Sequence, residues 1–249
     1  MSASVRVAAV GDIHIGCDTQ GRIATALAGI ESCADVLLLA GDLTQVGSDD
    51  EARCVVAELA EVPIPIIAVL GNHDYHAGEP GRVAQFLHDA GIIVLDGTTT
   101  TIDLNGIELG IAGIKGFGGG FLGRSASDFG EPEMRAFAHH SIDTATRLER
   151  CLKDLDGDVR VVLLHYSPVP DTLVGEPLEL FPFLGSYLLA EAIDRTVPDL
   201  VIHGHAHRGT ERGLTPGGVR VRNVALPVLG APFRVYELPA ARSPNSSTD

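Results

Sequence analysis

The sequence predicts an α/β fold, because apolar runs rich in β-branched residues alternate with stretches of helical pattern. Its first half repeats a strand and a helix three times, with connections long enough to join parallel strands. Five of the apolar runs carry Asp, Asn or His at their carboxyl-terminal ends, either directly or after one glycine. Ligand sites of parallel α/β sheets form at this carboxyl-terminal edge, so the same pattern predicts a site there.

Capping and breaker residues set the elements of the first half. Ser48 is a predicted N-cap, and Glu51 completes a capping box three residues later. Pro63 and Pro65 end that helix, and Pro80 lies near the first turn of the next one. The predicted strands cover 5–10, 35–40 and 64–70, and the predicted helices cover about 22–32, 49–61 and 79–90.

The middle of the chain predicts antiparallel strands. An Asn105-Gly106 pair between two β-prone runs is a strong hairpin signal. The glycine-rich segment 113–130 is an uncommonly long loop for a compact domain, and such loops are often functional. The remaining predicted elements are strands at 98–104, 107–112, 159–164, 199–202, 219–224 and 234–237, helices at about 131–155 and 187–195, and a turn at 215–218. Residues 1–238 are predicted to form one domain, and the polar residues 239–249 a disordered tail.

Charge and hydropathy restrict the partners and the location. The formal charge of −15 comes from 33 acidic residues against 18 basic ones. Such an acidic surface disfavours a nucleic-acid duplex or an anionic membrane as a partner. No apolar run approaches the ~20 residues of a membrane span, and the N-terminal residues run directly into the first strand without a signal-peptide pattern. We therefore expect a cytoplasmic protein that acts on a small molecule.

The four cysteines are scattered and form no CxxC pair. A chain of this size folds without disulfides, so we expect free and mostly buried thiols in a reducing compartment. Cys17 follows His14 by three residues and should lie near the strand ends. Packing of its loop is favoured over metal ligation.

Carboxylates, an amide and imidazoles at the strand ends have the chemistry of a metal site. Hard or borderline divalent ions prefer these oxygen and nitrogen ligands without thiolates. The segment His203–His207 would be weak evidence by itself, but four other strand ends repeat the arrangement. The motif residues are Asp12, His14, Asp42, Asn72, His73, His165, His205 and His207.

These motifs resemble the calcineurin-like metallophosphoesterase superfamily. The similarity covers roughly residues 5–237 and rests on Asp-x-His, Gly-Asp, Gly-Asn-His-Asp, a lone His and Gly-His-x-His in the right order. It implies a four-layer α/β/β/α sandwich of two mixed sheets flanked by helices. It also implies a dinuclear metal centre that hydrolyses phosphoric esters. Ala206, where the family often has Thr, adds only a small spacer.

The resemblance also implies a role for each motif residue. Asp42 matches the bridging position between two ions of Mn, Fe or Zn. The first ion would take Asp12, His14 and His207, and the second would take Asn72, His165 and His205. A hydroxide between the ions would attack phosphorus in line, and the ions would keep the pocket positive inside an acidic shell. His73 would face the leaving group as a general acid or a cationic stabiliser.

Several other polar residues near the motifs are predicted to be structural. For Asp74, stabilisation of a turn is favoured over partnership with His73. His203 is interpreted as a residue at a strand end that supports the ligands. His76 is interpreted as an exposed loop histidine.

The two long loops predict the substrate class. In segment 113–130, Phe117 and Phe121 offer apolar walls, and Lys115 and Arg124 offer positive charge. Segment 166–186 begins directly after His165 and is rich in Leu, Val, Pro and Phe. Asn72, Phe121 and Arg124 are the predicted substrate-binding residues, with the Asn72 amide free to donate to a phosphate oxygen.

This rim favours a small phosphodiester, with cyclic nucleotides among the first candidates. Three alternatives stay open. A phosphomonoesterase would use the same metals, and a non-catalytic scaffold could share the fold, although every ligand position is intact. The loops could instead cover the sheet edge or form a homodimer contact, for which 178–183 is apolar enough.

Overall fold

Strands and helices alternate along the chain, as the sequence predicts. The structure is a computed structural model that describes residues 3–19 and 21–240. The strands are β1 (Ser4–Val10), β2 (Val36–Ala40), β3 (Ile66–Val69), β4 (Ile93–Val94), β5 (Thr98–Asp103), β6 (Glu108–Ile114), β7 (Gly120–Phe121), β8 (Arg124–Ser125), β9 (Val159–Leu164), β10 (Leu200–His203), β11 (Arg212–Leu214), β12 (Arg220–Asn223) and β13 (Arg234–Pro239). The helices are α1 (Arg22–Leu27), α2 (Asp49–Leu59), α3 (Pro80–Asp89), α4 (Pro132–Lys153), α5 (Phe181–Leu184), α6 (Tyr187–Asp194) and α7 (Leu226–Leu229).

The strands form two large mixed sheets. The first has the order β13-β1-β2-β3-β4, in which β13 alone runs antiparallel to its neighbour. The second has the order β11-β12-β10-β9-β6-β5. Its centre is parallel, and antiparallel pairs close both edges.

Each sheet buries both faces, which produces four layers. Along β1, Val5, Val7 and Ala9 point into the core between the sheets, where they join residues such as Leu38, Ile111 and Val161. Ala8 and Val10 point the other way and pack under α1, α2 and α3. The outer face of the second sheet packs against α4 and α6. This period of two is the ordinary side-chain alternation of a strand, and it confirms the predicted α/β/β/α sandwich.

Two local predictions from the sequence are confirmed by hydrogen bonds and backbone angles. Ser48 accepts from the Glu51 amide, and Glu51 accepts from the Ser48 amide, so the capping box of α2 is complete. Asn105 and Gly106 have φ of 58° and 83°. Positive φ at both central residues is what a two-residue hairpin turn of type I′ requires.

Other details differ from the sequence-based expectation. The first predicted helix stops at Leu27, because Ala28 leaves the helical conformation, and residues Ile30–Ser32 form a separate 3₁₀ turn. The segment 113–130 contains the short β7–β8 hairpin and is therefore not structureless. The sequence placed the turn at 215–218 between the strands predicted at 219–224 and 234–237. It instead joins β11 to β12, and β11 is a strand that the sequence pattern did not reveal.

The two ends of the described part come together at the edge of the first sheet. Pro239 pairs with Ser4, and the amide of Ala240 donates to the carbonyl of Ala3 at 2.9 Å. Residues 239 and 240, which the sequence assigned to a disordered tail, are therefore paired with the first strand. The rest of that predicted tail, residues 241–249, lies outside the described part. No helix within 3–19 and 21–240 has the length and apolarity to cross a membrane.

Candidate metal centre

The carboxyl ends of strands from both sheets meet at one place. The amide of Gly11, after β1, donates to the carbonyl of Val224 beyond β12, at 2.9 Å. His165, after β9, places Nδ1 2.8 Å from the carbonyl oxygen of Ala40 at the end of β2. The amide of Gly204, after β10, donates to the carbonyl of His165 at 3.2 Å. The two sheets thus hold their strand-end loops in direct contact.

A first group of potential ligands consists of Asp12, His14, Asp42 and His207. One ligand atom from each residue lies within 4.8 Å of every other. His207 Nε2 is 2.9 Å from Asp12 Oδ1, and His14 Nε2 is 3.8 Å from Asp42 Oδ2. The hydrogen bond to Asp12 raises the pKa of His207, whereas burial lowers the pKa of His14.

A second group consists of Asp42, His165 and His205 and meets the same distance condition. His165 Nε2 lies 3.3 Å from Asp42 Oδ1 and 2.9 Å from Asn72 Oδ1. Asn72 is thereby held beside this group through its side-chain carbonyl oxygen. Asp42 belongs to both groups, so one carboxylate lies between them.

The charges in the second group are strongly coupled. Burial opposes a charge on His165, but the adjacent Asp42 carboxylate overcomes it and raises the pKa of the imidazole to about 9. Burial also disfavours ionised Asp42, yet the neighbouring His165 keeps the pKa of that carboxyl well below its usual range. His205 is neutral, since burial and then His165 lower its pKa to about 3. The buried Asp42 carboxylate therefore needs a positive charge beside it.

One atom in the first group points to a metal ion in particular. His14 Nε2 is buried without a hydrogen-bond partner, and it is the one side-chain nitrogen or oxygen in this condition within the described residues. Buried polar atoms are normally paired, because an unpaired one loses its hydration without compensation. An imidazole nitrogen facing two carboxylates is an ordinary metal ligand. The residues of this site thus fit a bound cation.

Backbone strain is concentrated at the same residues. Asp12, His14, Asp42 and His205 have positive φ of 57°, 43°, 51° and 70°. Within the described residues only Asn105 and Val197 are further non-glycine examples. Such conformations cost energy and persist where surrounding structure enforces them, commonly at functional sites. Here they turn side chains inward from the strand ends.

Two glycines leave room for the carboxylates. A β-carbon added at Gly71 would overlap Asp42 Oδ1, and one at Gly204 would overlap Asp12 Oδ2. Neither glycine has a positive φ, so close approach of the carboxylate explains the residue type.

Replacing Gly71 by alanine should therefore displace Asp42. We expect weaker metal binding and a loss of turnover of about 10²-fold, the usual consequence of misplacing a reacting group by about 1 Å. Gly81→Ala is the matched control, since a β-carbon there meets nothing within 4 Å. It lies in α3, where alanine should stabilise by up to about 1 kcal/mol. Equal turnover of the two variants would show that Gly71 makes no room for the site.

His73 lies beside the two groups without joining them. Its amide donates to Asp42 Oδ1 at 2.8 Å, and its ring Nδ1 is 2.6 Å from the carbonyl oxygen of Gln45. A carbonyl only accepts, so Nδ1 carries a proton and donates. Nε2 then faces the site, 4.0 Å from Asp42 Oδ2, on a side chain that is 44% exposed. This position suits an acid that meets a leaving group.

Asp74 and His203 are buried and hydrogen-bonded, and neither belongs to a ligand group. The buried Asp74 carboxylate accepts from the amides of Gly71, Leu43 and Thr44 and from the Thr44 hydroxyl, which ties two strand-end loops together. His203 Nε2 is 2.8 Å from the hydroxyl oxygen of Thr172, and its ring is buried. His76 is exposed, as expected.

Phe121 and Arg124, which were predicted to bind substrate, lie in neither group of potential metal ligands. Phe121 is 6% exposed and packs against Leu173, Leu184 and Ala206, so its ring has little surface left for a substrate. It borders a cavity of about 630 Å³ between segment 166–186 and α6, which contains none of the predicted ligands. Arg124 is exposed on β8.

The expectation of mostly buried thiols is wrong. Cys17 is exposed, and the other three cysteines are half-buried. Cys17 Sγ lies 3.6 Å from Cys54 Sγ on α2, because the loop after His14 packs against that helix. Cys17 belongs to neither ligand group, in agreement with packing of its loop.

Two aromatic residues near the site had not been singled out from the sequence. Tyr166 directly follows His165, and its ring centre lies 4.3 Å from that of His205. Tyr75 follows His73 by two residues, on the same 3₁₀ turn. Their positions next to motif residues are a signal that could have identified them.

Comparison with known proteins identifies the family. The sequence model described as calcineurin-like phosphoesterase matches residues 5–209. The chain belongs to this family. Membership makes it a metal-dependent hydrolase of phosphate esters by class, and the two groups of potential metal ligands agree with that class. No functionally curated protein matches the sequence.

Solved structures share the calcineurin-like fold at low sequence identity. A phosphopantetheinyl hydrolase from Mycobacterium tuberculosis aligns over 100% of both chains with a TM-score of 0.69 and 15% identity. A putative 5′-nucleotidase from Staphylococcus aureus aligns over 99% of this chain and 56% of its own, with a TM-score of 0.58 and 15% identity. The protein TT1561 of Thermus thermophilus aligns over 95% of this chain and 99% of its own, with a TM-score of 0.55 and 18% identity. These similarities show the fold.

Proposed function

We propose that the protein is a dinuclear metal-dependent phosphodiesterase acting on small phosphodiesters. The observation that carries the proposal is the position of Asp42 in both ligand groups. A carboxylate has two oxygens and can bridge two ions, which is the arrangement that two-metal phosphoryl transfer requires. The unpaired His14 Nε2 supports a metal in the first group.

Each ligand group would hold one ion of Mn, Fe or Zn. Asp12, His14 and His207 would hold the first and Asn72, His165 and His205 the second, with Asp42 between them. Ions bound there supply an activated water nucleophile and neutralise charge on the phosphoryl oxygens. They also provide the positive charge that the buried Asp42 carboxylate needs.

His73 and Asn72 would act directly on the substrate. The hydrogen bond from His73 Nδ1 to the Gln45 carbonyl fixes the ring, so that a protonated Nε2 can donate to the departing oxygen. Asn72 presents its carbonyl oxygen to the His165 side and retains an NH₂ group, which can donate to a phosphoryl oxygen. Both residues lie on the loop after β3 and are positioned by the same backbone.

The surroundings of the second group favour a diester over a dianionic monoester. Tyr166 lies against His205, and the carbonyl of Phe183 is 3.3 Å from His205 Nε2. The Phe183 side chain is 58% exposed, and its ring centre is 6.1 Å from that of Phe137. The exposed Phe183 ring offers an apolar surface to an organic group on the phosphate. The proposal therefore takes its wall from Phe183, whereas the rings of Phe121 and Tyr166 are buried.

A panel of esters tests this assignment. The chelated protein is given Mn²⁺, Fe²⁺ or Zn²⁺ and assayed for kcat/KM on bis(p-nitrophenyl) phosphate and on p-nitrophenyl phosphate. We expect the diester to be preferred. Phe183→Ala should reduce that preference by about tenfold, comparable to the removal of a well-packed ring contact.

Phe129→Ala is the matched control, because this phenylalanine is 85% exposed and lies in the other loop. It should behave as wild type. A clear preference for the monoester would overturn the diester assignment and leave the metal chemistry standing. Hydrolysis that is unaffected by chelation would overturn the metal chemistry itself.

A further inference from the structure

Lys115 carries a positive charge inside an aromatic enclosure made by Tyr75, Phe117 and Tyr166. Its Nζ lies 4.9 Å, 5.4 Å and 5.0 Å from the centres of these three rings. Aromatic faces attract an ammonium group at these distances. The group donates to the carbonyl of Gly116 at 3.3 Å, so two of its three protons have no protein acceptor among the described residues.

No carboxylate balances this charge within the described part of the chain. Among the described residues, every ion pair with a nitrogen–oxygen distance of 4.0 Å or less involves a cation other than Lys115. The nearby Asp96 instead pairs with Arg147 at 3.4 Å, and its carbonyl accepts from the same guanidinium. Burial lowers the pKa of Lys115, and the more distant Asp96 and Asp42 carboxylates oppose that shift. A partly desolvated ammonium of this kind gains from an anionic ligand.

The enclosure is attached to the candidate metal centre on two sides. Tyr166 adjoins His165 in sequence and its ring lies 4.3 Å from that of His205. Tyr75 lies on the 3₁₀ turn that carries His73. The carbonyl of Lys115 itself accepts from the His165 amide at 2.9 Å. Lys115 and Tyr75 also border a cavity of about 230 Å³, which leaves room for part of a ligand.

Lys115 Nζ makes no ion pair with the carboxylates of the two ligand groups. The Tyr166 ring centre lies 5.0 Å from Nζ and 4.3 Å from the ring centre of His205, so this ring packs against both residues. A hydrogen bond from an ammonium needs an acceptor within about 3.2 Å. Because bound ions would already neutralise the reacting phosphate, the acceptor that Lys115 lacks is assigned to another anionic group of the substrate.

We propose that Lys115 is a specificity-determining residue that binds a second phosphate of the substrate. The substrate class is then a phosphodiester that carries an additional phosphate, separated from the scissile one by a group such as a sugar. This inference rests on the proposed function and deepens it. The enclosure positions the ammonium, and Tyr75 and Tyr166 connect it to the loops of His73 and His165.

A matched pair of substrates isolates this second phosphate. Thymidine 5′-(p-nitrophenyl phosphate) and its 3′-phosphorylated derivative share one scissile bond and one leaving group. They differ only by the additional phosphate. The metal-loaded protein is assayed on both, and the readout is the ratio of the two kcat/KM values, together with the separate KM and kcat.

Lys115→Met keeps a side chain of similar length over the rings and removes the charge. We expect it to lower the ratio at least about tenfold, through KM, because a charged hydrogen bond is lost. Lys115→Arg should restore most of the ratio. Lys153→Met is the control, since the only other lysine is exposed on α4 and pairs with Glu149. A ratio unchanged in Lys115→Met, or equal losses on both esters, overturns the inference.

Direct binding separates failure of this inference from failure of the proposed function. Calorimetry measures the affinity of the metal-loaded protein for thymidine 3′,5′-bisphosphate and thymidine 5′-monophosphate, without turnover. A preference for the bisphosphate that Lys115→Met removes supports the inference even if neither ester is hydrolysed. Equal affinities in wild type overturn the inference even if both esters are hydrolysed.

Discussion

Asp42→Ala should remove turnover almost completely and release both metal ions. The buried carboxylate is shared by the two ligand groups, so its loss affects both at once. It also leaves four imidazoles, Asp12 and Asn72 to hold two cations. We expect turnover to fall by well over about 10²-fold. A loss of that size is already the upper range for a residue that only supports a metal ligand through a hydrogen bond. Metal content per chain and hydrolysis of bis(p-nitrophenyl) phosphate are the measurements.

Two further variants make the Asp42 result specific. Asp143→Ala removes an exposed carboxylate on the outside of α4 and should retain metal and activity. Asp42→Asn keeps the shape and one oxygen ligand, so it should bind metal more weakly than wild type. Full turnover by Asp42→Ala would contradict a shared bridging ligand.

His73→Gln should keep both metals and lose about 10²–10⁴-fold in turnover, the usual contribution of a positioned acid. The imidazole lies outside both ligand groups and is held through Nδ1 by the Gln45 carbonyl. A glutamine can still donate to that carbonyl, so the loop should keep its conformation. The loss should be smaller for p-nitrophenyl esters than for alkyl esters, because an acidic leaving group departs without a proton.

The leaving-group dependence is what distinguishes an acid from a structural residue. An equal loss on aryl and alkyl esters would mean that His73 acts through structure, and loss of a metal would mean that it is a ligand. His76→Gln is the control, since this histidine is exposed three residues further along the same loop. It should match wild type on both ester types.

The strand ends could be predicted from the sequence because each one combines two independent signals. An apolar run predicts a buried strand, and the Asp, Asn or His behind it marks the edge where such strands meet. That was enough to name Asp12, Asp42 and His165, which the structure brings together. The capping box at Ser48 and the hairpin at Asn105 were equally predictable, since both depend on neighbouring residues.

The parts that the sequence did not reveal depend on distant contacts. The short strand β11 has little pattern of its own and exists because it pairs with β12. Phe121 was predicted to face the substrate, yet residues more than fifty positions away cover its ring. The pairing of Lys115 with three aromatic rings likewise brings together residues from three separate segments. Such contacts between distant segments leave no pattern in the neighbouring sequence from which they could be predicted.

The most direct test of the two-metal account is a titration of the chelated protein with Mn²⁺. Bound metal per chain and hydrolysis of bis(p-nitrophenyl) phosphate are measured in the same samples. The account predicts negligible turnover without metal, saturation at two ions per chain, and turnover that reaches its maximum only as the second ion binds. Full turnover with no bound ion, or with one, would contradict it.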